Sequence, residues 1–137
     1  MTAAYSGPVD DRLAIRELIE AYSDAVFRHD AEAWIACWTT DGVWKLPGID
    51  VAGADNIKAA WQGAMSAFSL AAFFATPGSI EVTGDQAKAR VYTQEILVLA
   101  VGGVRRIIGA YDDALVKQDG AWRFASRTYK ILNDQQG

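Results

Sequence analysis

Few side chains in this sequence combine an ionisable group with a setting in which it could act on a ligand. Tyr22 falls on the apolar face of a predicted helix, together with Ile15, Leu18, Ile19, Ala25 and Val26. A phenol in such a place donates one hydrogen bond into low-dielectric surroundings, where it counts for more than in water. Asp112 stands in mid-strand between Ala110 and Ala114 on its own face, and small neighbours leave room for a cavity wall. Burial there would raise the carboxyl pKa and make it a neutral donor or a strong base. Adjacent strand residues face opposite sides, so either Asp112 or Asp113 looks inward, not both. His29 is the only histidine, and thus the only side chain with an ordinary pKa near neutrality. It either extends the Tyr22 stripe as a base or sits at the helix end against the last carbonyls. Arg127 either stabilises an anion in the pocket or pairs on the outer face. Its strand parity is opposite to that of Trp122 and Phe124, so an inward Arg127 would need a bulge. Glu95 is a charge in an otherwise apolar half-strand near Leu97 and Leu99, with its direction open.

These groups must be held by a small number of elements. A helix capped by Asp10 or Asp11 carries Tyr22. Asp30 reads as the cap of a short second helix whose buried stripe is Trp34, Ile35 and Trp38. Asp41-Gly42 is predicted as a turn and 43–46 as a short strand ended by Pro47-Gly48. Asp55 caps a third helix with Ile57, Ala60, Trp61, Ala64 and Phe68 aligned. The period then becomes alternating. Segments 72–75 and 79–83 read as one strand bent at Pro77-Gly78. Segments 87–101, 104–118 and 121–132 follow as strands, joined by tight turns at Gly102-Gly103 and Asp119-Gly120. Strands of about fifteen residues exceed the usual five or six, so the sheet must curl. The expected fold is α+β, with three N-terminal helices against a strongly curved antiparallel sheet. Residues 1–10 read as a flexible arm and 11–137 as a single domain.

Composition narrows the function. The chain has 137 residues, a formal net charge of −4 and 51% apolar residues. One domain of this size sustains a core. No basic face is available for nucleic acid or anionic membranes. The single cysteine, Cys37, permits no internal disulfide. One histidine and one cysteine do not make a typical zinc site, and no phosphate-cradling glycine loop or G-x-S-x-G elbow occurs. No cofactor is expected, and a cytoplasmic location follows by default.

The stretches IRELIEAYSDAVFRHDAEAWIACWTTDGVWKLPG and GAYDDALVKQDGAWRFASR resemble the SnoaL-like branch of the NTF2-like superfamily, over nearly the whole chain. That resemblance implies a cone-shaped fold shared with ketosteroid isomerase, scytalone dehydratase, lindane dehydrochlorinase, polyketide cyclases and the non-catalytic β subunits of ring-hydroxylating dioxygenases. By position, Tyr22 and Asp112 match the isomerase's two oxyanion donors, while its general base falls at Leu46. Asp30 and Arg127 match the dehydrochlorinase's aspartate and arginine, while its histidine falls at Phe73. The implied function is a cofactor-independent lyase or isomerase acting on a small hydrophobic cyclic or aromatic molecule. The alternative is a non-catalytic binding protein or assembly subunit. Trp44, Trp61, Phe68, Phe73 and Phe74 are expected to line the pocket. A homodimer through the sheet face is expected, because one face of a long antiparallel sheet needs covering.

Overall fold

The computed structural model describes residues 4–137. Helix α1 spans Val9–Phe27 and buries Ile15, Ile19, Tyr22, Ala25 and Val26. These lie at spacings that keep one stripe against the sheet. Pro8 is its N-cap, and the Pro8 carbonyl accepts the first helical hydrogen bond from Arg12 N at 3.0 Å. The expected caps Asp10 and Asp11 instead lie within the first turn, where negative charge suits the helix dipole. The chain leaves α1 through His29, at φ 52°, and Asp30 caps α2, Ala31–Ile35, by accepting a hydrogen bond from Ala33 N at 3.0 Å.

Trp38 does not extend α2. It opens strand β2, Trp38–Leu46. Asp41-Gly42 is therefore inside a strand, at an irregularity between Trp38 and Val43, and is not a separating turn. Strand β3, Ile49–Ala52, folds back on β2 around Pro47-Gly48. Helix α3, Ala54–Met65, starts after Gly53 at φ 90°, so Asp55 occupies its first turn and is not its cap.

The long strands are β4, Phe68–Thr83; β5, Gln86–Leu99; β6, Val104–Gln118; and β7, Ala121–Gln136. The predicted interruption at Pro77-Gly78 is present as a register shift between Pro77 and Ser79. The N-terminal segment is not a loose arm in its described part. Tyr5–Ser6 forms β1, parallel to β4 beside Ile80 and Glu81. There the Tyr5 hydroxyl donates to the Pro77 carbonyl at 2.8 Å. The sheet runs β1-β4-β5-β6-β7-β2-β3, curled and unclosed. The helices fill its concave side, so the fold is the expected α+β cone.

Two bulges in β7 set the site. Ala114 pairs with Ser126 while Leu115 pairs with Phe124, which leaves Ala125 extra. Gly109 pairs with Ile131 while Ile108 pairs with Asn133, which leaves Leu132 extra. The first bulge reverses the parity of the strand from Ser126 to Ile131, up to the second. Trp122 and Phe124 point inward, and so does Arg127. The core centres on Trp34, stacked on Trp61 with ring centroids 4.7 Å apart, tilted against Trp38 and edge-on to Trp44. No helix among the described residues is long and apolar enough to cross a membrane.

Candidate active site

A cavity of about 310 Å³ lies between α1, α3 and the concave face of the sheet. Its walls are aromatic and aliphatic: Trp44 and Leu46 from β2, Trp61 and Met65 from α3, Phe68 and Phe73 from β4. Four of the five expected pocket aromatics are thus in place. Phe74 is the exception. It follows Phe73 on a strand, so it faces the other way. It is 51% exposed and meets Phe27 edge-on at 5.3 Å. A larger, more open depression of about 500 Å³ is lined by Glu81, Gln86 and Lys88, none of them buried.

Tyr22 lines the cavity and packs against Trp34, Phe73 and Phe124 at 5.4–5.7 Å between ring centroids. Burial pushes its phenol up to about 12, against the pull of the nearby Arg127 charge. Beside it, Tyr111 accepts a hydrogen bond from Trp44 Nε1 at 3.2 Å, and burial raises this phenol as well.

Beneath these two rings lies an ion pair. Arg127 Nε and Nη2 donate to Asp113 Oδ1 and Oδ2 at 2.7 and 3.0 Å. The guanidinium carbon sits 3.8 Å from the Tyr111 ring centroid, 4.1 Å from Phe124 and 4.5 Å from Tyr22. Both side chains are almost wholly shielded from solvent. Burial raises the Asp113 carboxyl, against the attraction of Arg127. Neither member belongs to the cavity lining, and the guanidinium lies against the Tyr22 and Tyr111 rings from outside it.

The carboxylate that does reach the cavity is Glu95, on β5. Its Oε2 accepts hydrogen bonds from the Tyr129 hydroxyl and from Thr93 Oγ1, the latter at 3.3 Å. Among the described residues, both hydrogen bonds to this carboxylate fall on Oε2 and none on Oε1. Burial raises the Glu95 carboxyl, opposed by the bonds from Tyr129 and Thr93 and by the charges of Arg105 and Arg127. Arg105 stands at the cavity, held by Asp134 in a two-point contact at 3.0 and 2.6 Å. One free carboxylate oxygen in an apolar chamber, with phenols alongside, is equipped to take up or deliver a proton. Among the described residues no three His, Cys, Asp or Glu side chains converge as a metal site.

The remaining sequence-predicted residues are not brought together. Asp112 is exposed on the outer face, across from Arg90 and Thr128, and Asp113 takes the inward position. His29 is exposed, because α1 ends before it; it borders a separate small depression. Asp30 is engaged as a helix cap and by Arg28 at 3.3 Å. Tyr111, Tyr129 and Arg105 were not singled out by sequence reasoning. The signal for Tyr111 and Asp113 was their shared parity with Leu115, a more apolar row than Ala110, Asp112 and Ala114. Leu46 and Phe73, which stand where the resemblance places acid–base groups, both line the cavity.

A family model described as a SnoaL-like domain matches residues 8–128. No curated protein matches the sequence significantly. Three solved structures from Novosphingobium aromaticivorans are similar to this chain. One bears the provisional name aromatic ring hydroxylase, is 25% identical, covers 96% of each chain and superimposes with a TM-score of 0.89. A second, provisionally named a scytalone dehydratase, is 22% identical over 93% of this chain and 87% of its own, with a TM-score of 0.87. The third is described as an NTF2-like protein with a cystatin-like fold. It is 27% identical over 91% of this chain and 84% of its own, with a TM-score of 0.78. The family match spans most of the chain and the fold agrees with it: this protein belongs to the SnoaL-like family.

Proposed function

We propose that the protein is a cofactor-independent lyase or isomerase that moves a proton on a small, hydrophobic, cyclic or aromatic molecule. The observation that carries this reading is the free Oε1 of Glu95 inside an aromatic cavity that also holds Tyr22. A volume of about 310 Å³ is at the small end of ligand sites, which suits a one- or two-ring compound. In the proposed step, Glu95 Oε1 accepts a proton from carbon beside a carbonyl. The C–H electron pair moves into the carbonyl, and Tyr22 donates a hydrogen bond to the resulting oxyanion. Return of the proton to another carbon completes an isomerisation; departure of a leaving group completes an elimination. The resemblance to ketosteroid isomerase and scytalone dehydratase supports the reaction class. Glu95 replaces Asp112, Asp30 and His29 as the proton-transferring group, and Arg127 supports the phenols from behind. Screening steroid-like ketones, halogenated rings and polyketides for turnover, then repeating with Glu95→Gln, tests the reading. Turnover that survives Glu95→Gln refutes it.

The apolar Leu46 and Phe73 favour a second reading, a non-catalytic binder of a small apolar molecule. Native mass spectrometry of the purified protein, with a retained ligand and no turnover of any screened compound, would select it. In either case we propose a homodimer through the outer sheet face, where Phe74, Tyr92 and Ile108 are 51%, 43% and 41% exposed. Sedimentation showing only monomer at micromolar concentration would refute the dimer.

A further inference from the structure

Gly109 faces the cavity side of β6, paired with Thr93 on β5 and Ile131 on β7. A Cβ built on it would lie 2.5 Å from both Tyr129 Cε1 and the Tyr129 hydroxyl, and 2.7 Å from Thr93 Oγ1. No side chain other than hydrogen fits there while Tyr129 keeps its place. The absent Cβ thus leaves the lane through which the Tyr129 phenol crosses β6 to reach Glu95 on β5. Tyr111 closes one side of that lane, with its ring centroid 4.8 Å from that of Tyr129. The Leu132 bulge lies immediately beyond, where Gly109 pairs with Ile131 and Ile108 with Asn133.

We infer that Tyr129, seated over Gly109, is a positioning residue that ties down one oxygen of Glu95 and leaves the other as the single proton-transferring atom. Both donors to Glu95, Tyr129 and Thr93, bond the same oxygen, Oε2. A carboxylate held at one oxygen presents the other in a fixed direction, and such fixed placement is what general-base catalysis requires. The same contacts hold the carboxyl pKa below where burial alone would put it, which keeps Glu95 usable as a base. The charged groups acting on Glu95 are Arg105 from β6 and Arg127 from β7. The phenols coupled to it are Tyr111 from β6 and Tyr129 from β7. The catalytic importance of this arrangement rests on the reading given under Proposed function, but the positioning itself is measurable without a substrate.

The test is a carboxyl-carbon NMR titration of the whole protein labelled in its glutamates, with Glu95→Gln identifying the Glu95 signal. Tyr129→Phe keeps the ring and removes the hydroxyl. It should raise the Glu95 midpoint by about one to two pH units, the size of one lost hydrogen bond to a charged acceptor. Gly109→Ala should move the midpoint in the same direction. The double variant should go no further than Tyr129→Phe alone, because both changes break the same bond. A Gly109→Ala protein that melts earlier but titrates Glu95 as before would reduce Gly109 to a packing role and overturn the inference. An unmoved midpoint in Tyr129→Phe would overturn it even if Gly109→Ala fails to fold. Failure of Glu95→Gln to affect turnover would instead count against the proposed function and leave the titration result standing.

Discussion

Replacing Asp113 with leucine strands the Arg127 guanidinium in a site where both side chains are almost fully shielded, 1% and 0% exposed. Removing one member of such a pair costs about 3–5 kcal/mol, because the partner remains buried and uncompensated. Arg127→Met leaves the Asp113 carboxyl in the same position and should cost a similar amount. A domain of this kind has roughly 5–15 kcal/mol of total stability, so each variant should fold but with a large fraction of that margin gone. The double variant Asp113→Leu with Arg127→Met should lie closer to the parent than either single change. Replacing a buried ion pair with packed apolar groups is often neutral or stabilising by about 1–4 kcal/mol. The recovery will be incomplete to the extent that the guanidinium contributes through its stacking on Tyr111, Phe124 and Tyr22. Urea unfolding of the four proteins, with equal slopes, measures the cycle. Single variants that each lose less than about 1 kcal/mol would refute the argument, since exposed pairs fall in that range.

Three further outcomes follow from the same geometry. Tyr22→Phe should raise the barrier on a verified substrate by about 2.7–4 kcal/mol, as loss of one oxyanion donor does; an unchanged kcat would remove Tyr22 from the site. Asp112→Asn should leave turnover unaltered and change stability by no more than about 0.5 kcal/mol, because the side chain is solvated on the outer face. Glu95 is held above the usual glutamate value of 4.5 by burial, so its ionised form is the disfavoured one. Its contribution to stability is whole below pH 4.5 and is lost as pH rises through the folded-state value. Glu95→Gln should therefore raise Tm at pH 7 more than at pH 4, and an equal effect at both would contradict the assignment.

The parts of this fold governed by local chemistry were legible in the sequence. Gly102-Gly103 and Asp119-Gly120 announce their turns, Pro77-Gly78 its bend, and the Ile15–Ile19–Tyr22–Val26 spacing its helix. Trp44, Trp61, Phe68 and Phe73 are found on the cavity because large apolar side chains in curled-sheet proteins have few other places to go. The cavity face was harder to read. Alternation in β7 gives Trp122 and Phe124 one face and Arg127 the other, yet the bulge at Ala125 sets all three inward. Nothing in Phe124-Ala125-Ser126-Arg127 marks that bulge, since it contains neither glycine nor proline. It is imposed by pairing with β6 and by the match between Arg127 and Asp113. The choice of Asp113 over Asp112 was marked in the sequence only by the more apolar row it shares with Tyr111 and Leu115, and its pairing with the buried Arg127 goes with that inward position. Glu95 could not be placed because its role depends on Tyr129, 34 residues away, and on a glycine that makes room for it.

Proton exchange measures the central claim most directly. Small cyclic ketones incubated with the protein in heavy water should gain deuterium beside the carbonyl at a rate that depends on Glu95 and Tyr22, followed by proton NMR. Deuterium uptake that is lost in Glu95→Gln and retained in Asp112→Asn is the predicted result. Uptake that persists unchanged in Glu95→Gln would contradict the account.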